Sequence, residues 1–261
     1  MREECGKTQR WFVEVTAVIG DHALVTALLE RAGYKLAAED AAGPRRLLTH
    51  QKYEEYRTAS QVHADAKRIA NTLRRFSELD GTPVGIAIGA VQSNLPDGTT
   101  NKHIFAEVRA AISATISASV TVTRNPAISE AEHHRFIAEA NAKAAEQKKL
   151  TTIRLASAAL QRPRILEVME LMNIATPTTT QLGHIVDLVQ DECEGDLQRY
   201  ASRKQLKRFN HSINHPEVFG LQARHAVSAE DPPPKPMEYA EAREFAHYIG
   251  RTWLSEFDRE T

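Results

Sequence analysis

Cysteine is nearly missing from this chain of 261 residues, with Cys5 and Cys193 the only two. Two thiols cannot build a disulfide framework, so the expected compartment is a reducing cytoplasm. Long apolar runs are missing too: no stretch reaches the roughly 18 residues that a bilayer crossing needs, which excludes a membrane partner of that kind. The opening Met1-Arg-Glu-Glu-Cys5 lacks the apolar centre of a secretion signal. Net charge is also scarce, because 33 Lys and Arg face 34 Asp and Glu for a balance of −1. A protein that coats nucleic acid by bulk positive charge is thereby excluded, and any such contact must come from a local patch. The sequence contains no Gly-x-Ser-x-Gly elbow, no His-Glu-x-x-His pair and no Cys-x-x-Cys pair, which removes the motif-bearing hydrolase, zinc and thiol chemistries. No cofactor or metal is expected.

What is present is the composition of an ordinary globular chain, 42% apolar and 26% charged. Alanine is abundant (37 residues) and Arg exceeds Lys by 22 to 11, a bias that suits a high-GC bacterium. The expected fold class is α+β. An N-terminal domain over 1–126 holds a mixed or antiparallel sheet with two helices and a long hairpin. A C-terminal helical bundle over 127–261 follows, with a stiff proline-rich connector at 231–236.

In the first half, Trp11, Val13, Val15, Ala17 and Ile19 alternate with Phe12, Glu14, Thr16 and Val18, the period of a strand buried on one side. Asp21 is placed to cap a short helix carrying Leu24, Leu28 and Leu29, and Gly33 to stop it. Tyr34–Ala38 reads as a second strand, and 45–57 as one or two short strands. A helix starting at Ser60 puts Ala66, Ile69, Ala70, Leu73 and Phe76 on one face and ends at the turn Asp80-Gly81-Thr82-Pro83. Val84, Ile86 and Ile88 then alternate with Gly85, Ala87 and Gly89, a strand with one bare face open to close approach. The two glycines lack the neighbours of a phosphate loop. Val108 to Val122 alternates apolar with Ser and Thr at a strict period of two. It reads as the return arm of a hairpin through Asn94–Asn101. Its hydroxyl row reads as a solvated strand face, with a ligand-binding sheet face as the alternative.

The second half carries helical signals: a capping box at Ser129–Glu132, Pro163 opening an apolar helix expected at the centre of the core, and a second capping box at Thr178–Gln181. Ser202 is placed to cap a basic helix. The last helix sets Tyr239, Ala242, Ala246, Ile249, Trp253 and Phe257 on one stripe. Cys193 lies among Asp191, Glu192 and Glu194, which disfavours a thiolate nucleophile. His133 and His134 diverge by about 100° on a helix and do not share a metal easily.

One segment concentrates chemistry. Arg199–His225 holds six Arg and Lys against the single acid Glu217, with His211, His215, His225, Asn210 and Asn214 among them. The five acids of 187–196 precede it, so one reading is mutual pairing of an acidic and a basic element. A second is a phosphate site: Lys204, Lys207, His211, Asn214, Arg224 and His225 binding, Arg208 steadying charge and His215 carrying a proton. A third is a metal held by His211, His215 and His225. A fourth is a purely structural net pinning an irregular loop over 212–236.

The run Arg208-Phe-Asn-His-Ser-Ile-Asn-His215 resembles the Arg-x4–6-His motif of HEPN-type helical ribonucleases of bacterial toxin and antiphage systems. That resemblance implies a metal-independent RNA cleavage site, often built between two protomers. Arg208 would stabilise the transition-state phosphate and His215 would move the proton of the 2′-hydroxyl or leaving oxygen. Two function classes therefore stand. One is a binding or assembly protein contacting an anionic, phosphate-bearing ligand such as RNA or a nucleotide. The other is a ribonuclease effector. A homo-oligomer is expected under both.

Overall fold

The computed structural model describes residues 10–38, 46–95, 99–105, 130–225 and 231–259. The chain divides into two compact units, Met1–Leu160 and Gln161–Thr261.

The first unit is built on a five-stranded antiparallel sheet. Its strands are β1 (Arg10–Gly20), β2 (Tyr34–Ala38), β3 (Arg46–His50), β4 (Val84–Asn94) and β5 (Thr100–His103), in the order β2-β3-β1-β4-β5. Helices α1 (His22–Arg31) and α2 (Ala59–Asp80) pack against it. Val13, Leu48, Leu28, Ile69 and Phe76 are fully buried, each such side chain contributing about 1.5–3 kcal/mol. Asp21 caps α1 by accepting the N–H groups of Ala23 and Leu24. Thr58, rather than Ser60, opens α2 through a reciprocal capping box with Gln61, and Gly81 closes it at φ 73°.

The alternation expected across all of β1 ends at Val15. Register shifts follow Val13 and Val15, so Trp11, Val13 and Val15 are buried while Ile19 is 53% exposed. A bulge turns later side chains over, which a period-two reading does not register. The bare face of β4 has a local cause: a Cβ on Gly89 would stand 2.9 Å from Thr16 Cγ2 on the neighbouring strand. The ambiguous 45–57 region resolves into β3 and a 3₁₀ turn over Gln51–Glu55. The hairpin after β4 exists with β5 as its return strand; the alternating run 108–122 lies outside the described residues.

Helix α3 (Glu130–Gln161) is continuous. Its turns from 138 to 148 are exposed all round. Its final turns are anchored within the unit, where Ser157 Oγ donates to Leu28 O at 3.1 Å and Leu160 O accepts from Arg68 at 2.8 Å. The same Arg68 joins Lys52 and Tyr34 around the buried Asp65 carboxylate.

The second unit is helical: α4 (Arg164–Met172), α5 (Thr179–Glu192), α6 (Arg203–Asn214), the single turn α7 (Pro216–Phe219) and α8 (Tyr239–Arg259). The sequence placed α4 at the core's centre, but the most extensive packing is α5 against α8. Leu171 and Met172, near the end of α4, stay half-exposed. Gly250 permits the close crossing, since a Cβ there would meet Met172 Sδ at 2.7 Å and Ile185 at 3.4 Å. The stripe on α8 is buried from Ala242 through Phe257, as its spacing requires.

Among the described residues no helix is long and apolar enough to cross a membrane.

Candidate functional site

Helix α6 begins with a complete capping box. Ser202 Oγ accepts the Gln205 N–H at 3.3 Å and Gln205 Oε1 accepts the Ser202 N–H at 3.0 Å. Its apolar positions recur at helical spacing: Phe209 and Ile213 are fully buried, and Phe209 lies 5.1 Å from the Phe245 ring. That anchoring turns Arg203, Lys204, Lys207 and Asn210 to solvent, where all four are exposed. No acidic residue lies on α6. Among the described residues, Arg203, Lys204 and Lys207 have no ion-pair partner.

The other predicted residues are used differently. Arg208 Nε donates to Lys235 O at 2.6 Å, and Nη2 donates to Pro236 O at 3.1 Å and to Glu241 Oε2 at 2.8 Å. Ser212 Oγ completes this clasp by accepting the Met237 N–H at 2.8 Å. Arg208 and Ser212, one turn apart, thus pin the proline-rich strap to α6. His215 is only 3% exposed; it ends α6 and caps α7, its Nδ1 accepting the Glu217 N–H at 3.2 Å. Its ring lies 6.0 Å from that of His211. Asn214 is half-buried, and its Oδ1 has no hydrogen-bond partner among the described residues.

Arg224 pairs with Asp187 at 2.7 Å, while its backbone N–H donates to Ile213 O at 2.8 Å. Gly183, one turn before Asp187, makes room: a Cβ there would stand 3.0 Å from both Arg224 Nη1 and Ile213 Cδ1. His225 is exposed. The acidic stretch divides its partners, with Asp187 on Arg224 and Asp191 on Arg164 at 2.9 Å. Arg199 is paired with Glu256, whose hydrogen bond is the foremost influence raising the guanidinium's pKa.

Lys204 and Lys207 therefore stand together on an open face with Arg203, while Arg208, His215 and Arg224 are engaged in holding the unit together. No group of three or more His, Cys, Asp or Glu suited to a metal ion occurs among the described residues. Sequence reasoning placed Arg203 in the basic segment but not among the binding residues; its i, i+4 spacing to Lys207 was the available signal. It also missed Glu241, which lies 33 residues beyond Arg208 and carries no local sign of that pairing.

Comparison with protein-family models, with curated proteins and with solved structures found no match to this chain.

Proposed function

We propose that the chain is a binding or assembly protein whose helix α6 docks on a phosphate-bearing anion, with Arg203, Lys204 and Lys207 as the contacting cations. The supporting observation is that these three side chains are exposed on a helix with no acid and have no carboxylate partner among the described residues. Three cations within two turns raise the local positive potential although the whole chain sits near neutrality. Asn210, on the same face, adds an amide donor. Phe209 is buried and unavailable for stacking on a base, so the reading favours contact with the phosphate backbone rather than recognition of sequence. RNA or a nucleotide fits that chemistry. The reading includes a cytoplasmic location and a homo-oligomeric state.

The test is fluorescence anisotropy of a labelled 12-nucleotide RNA across a salt series, with the unchanged chain and with the triple variant Arg203→Ala, Lys204→Ala, Lys207→Ala. About three phosphate contacts on a single strand give a log–log salt slope near −2. The triple variant is expected to lose at least tenfold in affinity and most of the slope. Equal binding by both would reject the assignment.

The same samples separate this reading from a metal-independent ribonuclease. For cleavage, Arg208 would have to exchange Glu241 and two carbonyls for substrate, and His215 would have to give up its cap. RNA cut in EDTA by the unchanged chain but not by His215→Ala would favour the ribonuclease; intact RNA in both supports binding.

A further inference from the structure

We propose that a groove on the second unit, beside the proline-rich strap, receives a peptide segment of a partner protein in which an apolar side chain stands next to Lys or Arg. This goes beyond the anion-binding reading of α6 and uses none of its three cations. The groove is a wide depression of about 640 Å³, open to solvent, and its walls include Phe219, Pro232, Pro236, Met237 and Tyr239.

The strap side of the groove is anchored. The Tyr239 hydroxyl donates to Pro177 O at 2.6 Å, fixing its ring, and the Met237 N–H is held by Ser212. The Arg208 clasp fixes the strap at Lys235 and Pro236. Prolines and anchored rings lose little freedom when a guest enters, which favours affinity per contact. Phe219 and Tyr239 remain half-exposed, and two residues past Phe219 the side chain of Leu221 is fully exposed. Apolar surface of this kind on a folded unit is what a partner's apolar side chain would cover.

Charge selects the kind of partner. Glu217 and Glu238 also line the groove. Both are exposed, and neither has an ion-pair partner among the described residues. Arg208, the cation bound to the strap, is already matched by Glu241. The lining thus combines apolar walls with two unmatched carboxylates and no cation of its own. A Lys or Arg reaching either carboxylate, with an apolar neighbour seated on Phe219 or Tyr239, satisfies both features. The aromatic faces add attraction for the cation. An acidic segment would meet like charge.

The probe is the peptide acetyl-Ala-Leu-Lys-Leu-Lys-Ala-amide, titrated into the full isotope-labelled chain and followed by backbone amide shifts. Its Lys→Gln and Leu→Ser analogues serve as controls. Saturable shifts centred on Val218, Phe219, Met237 and Glu238 are expected. Affinity is expected to fall at least tenfold with either analogue and with the double variant Glu217→Gln, Glu238→Gln. The triple alanine variant of α6 is expected to bind the probe unchanged, so failure here is distinguishable from failure of the anion site. The proposal is overturned by absent or displaced shifts, or by equal affinity for the Lys→Gln analogue. It is overturned too if the groove amides shift with protein concentration alone, which would assign the surface to a second copy.

Discussion

Arg208 and Lys207 are neighbours on one helix with opposite employment. Arg208 is committed to Glu241 and to two strap carbonyls, whereas Lys207 faces solvent. Arg208→Ala is therefore expected to cost about 1–2 kcal/mol of unfolding free energy, discounted for a half-exposed pair. It should also speed hydrogen exchange at the Met237 amide while leaving anion binding within about twofold. Lys207→Ala is expected to do the reverse, and urea unfolding together with anisotropy separates the two. The basic residues were legible in the sequence, but their partners were not. One reading of the sequence paired the acids of 187–196 with the basic segment; of these Asp187 does serve Arg224, whereas Arg208 is served by the distant Glu241.

His247 adds a pH dependence at the same scale. Burial, then Arg243 and Arg251 on the same helix, holds its pKa below the ordinary 6.5, and its Nε2 is buried with no hydrogen-bond partner among the described residues. Because the folded chain resists this proton more than the unfolded one, the stabilising contribution is complete above about pH 6.5. It declines as pH falls below that value and levels off once pH passes the folded pKa. His50, lowered chiefly by burial, acts in the same direction in the first unit. His247→Leu is expected to flatten part of the loss between pH 7.5 and pH 5.5, measured by urea unfolding at each pH.

Among the elements, the caps at Asp21, Thr178 and Ser202 were legible, whereas the one at Thr58 was passed over for Ser60. Thr178-Thr-Thr-Gln181 and the Ser202 cap read directly as helix starts, and both boxes are complete. Thr178→Ala is expected to cost about 1 kcal/mol in chemical denaturation. The bulges of β1 were not legible, because alternation carries no mark of where register slips. The central role of α5 was hidden for another reason: apolar content singles out α4, but Gly183 and Gly250, which let neighbours approach closely, add nothing to an apolar count. Gly250→Ala places a methyl 2.7 Å from Met172 Sδ and 3.4 Å from Ile185. The Met172 thioether is the flexible, half-exposed end of its side chain, and 3.4 Å is ordinary contact. The rearrangement is therefore offset by the gain of about 1 kcal/mol that Ala has over Gly inside a helix. The expected net change is within about 1 kcal/mol, read as a nearly unmoved urea midpoint with an unchanged m value.

At the scale of the whole molecule, a mixed or antiparallel sheet with two helices followed by a helical half was readable from hydrophobic period together with turn and capping signals, and the sheet is antiparallel throughout the described strands. Composition also constrained function, because a net charge of −1 confines any polyanion contact to a local patch. Within that patch the sequence could count cations but not separate the free from the paired. That depends on tertiary neighbours 27–37 residues away for Arg208 and Arg224. Helix α6 is where the two kinds meet, with one face anchored by Phe209 and Ile213 and the other left to Arg203, Lys204 and Lys207. The most direct test is the salt dependence of RNA binding by the unchanged chain and by the triple alanine variant of those three residues. A log–log slope near −2 that collapses in the variant is the predicted result; matching slopes and matching affinities would contradict it.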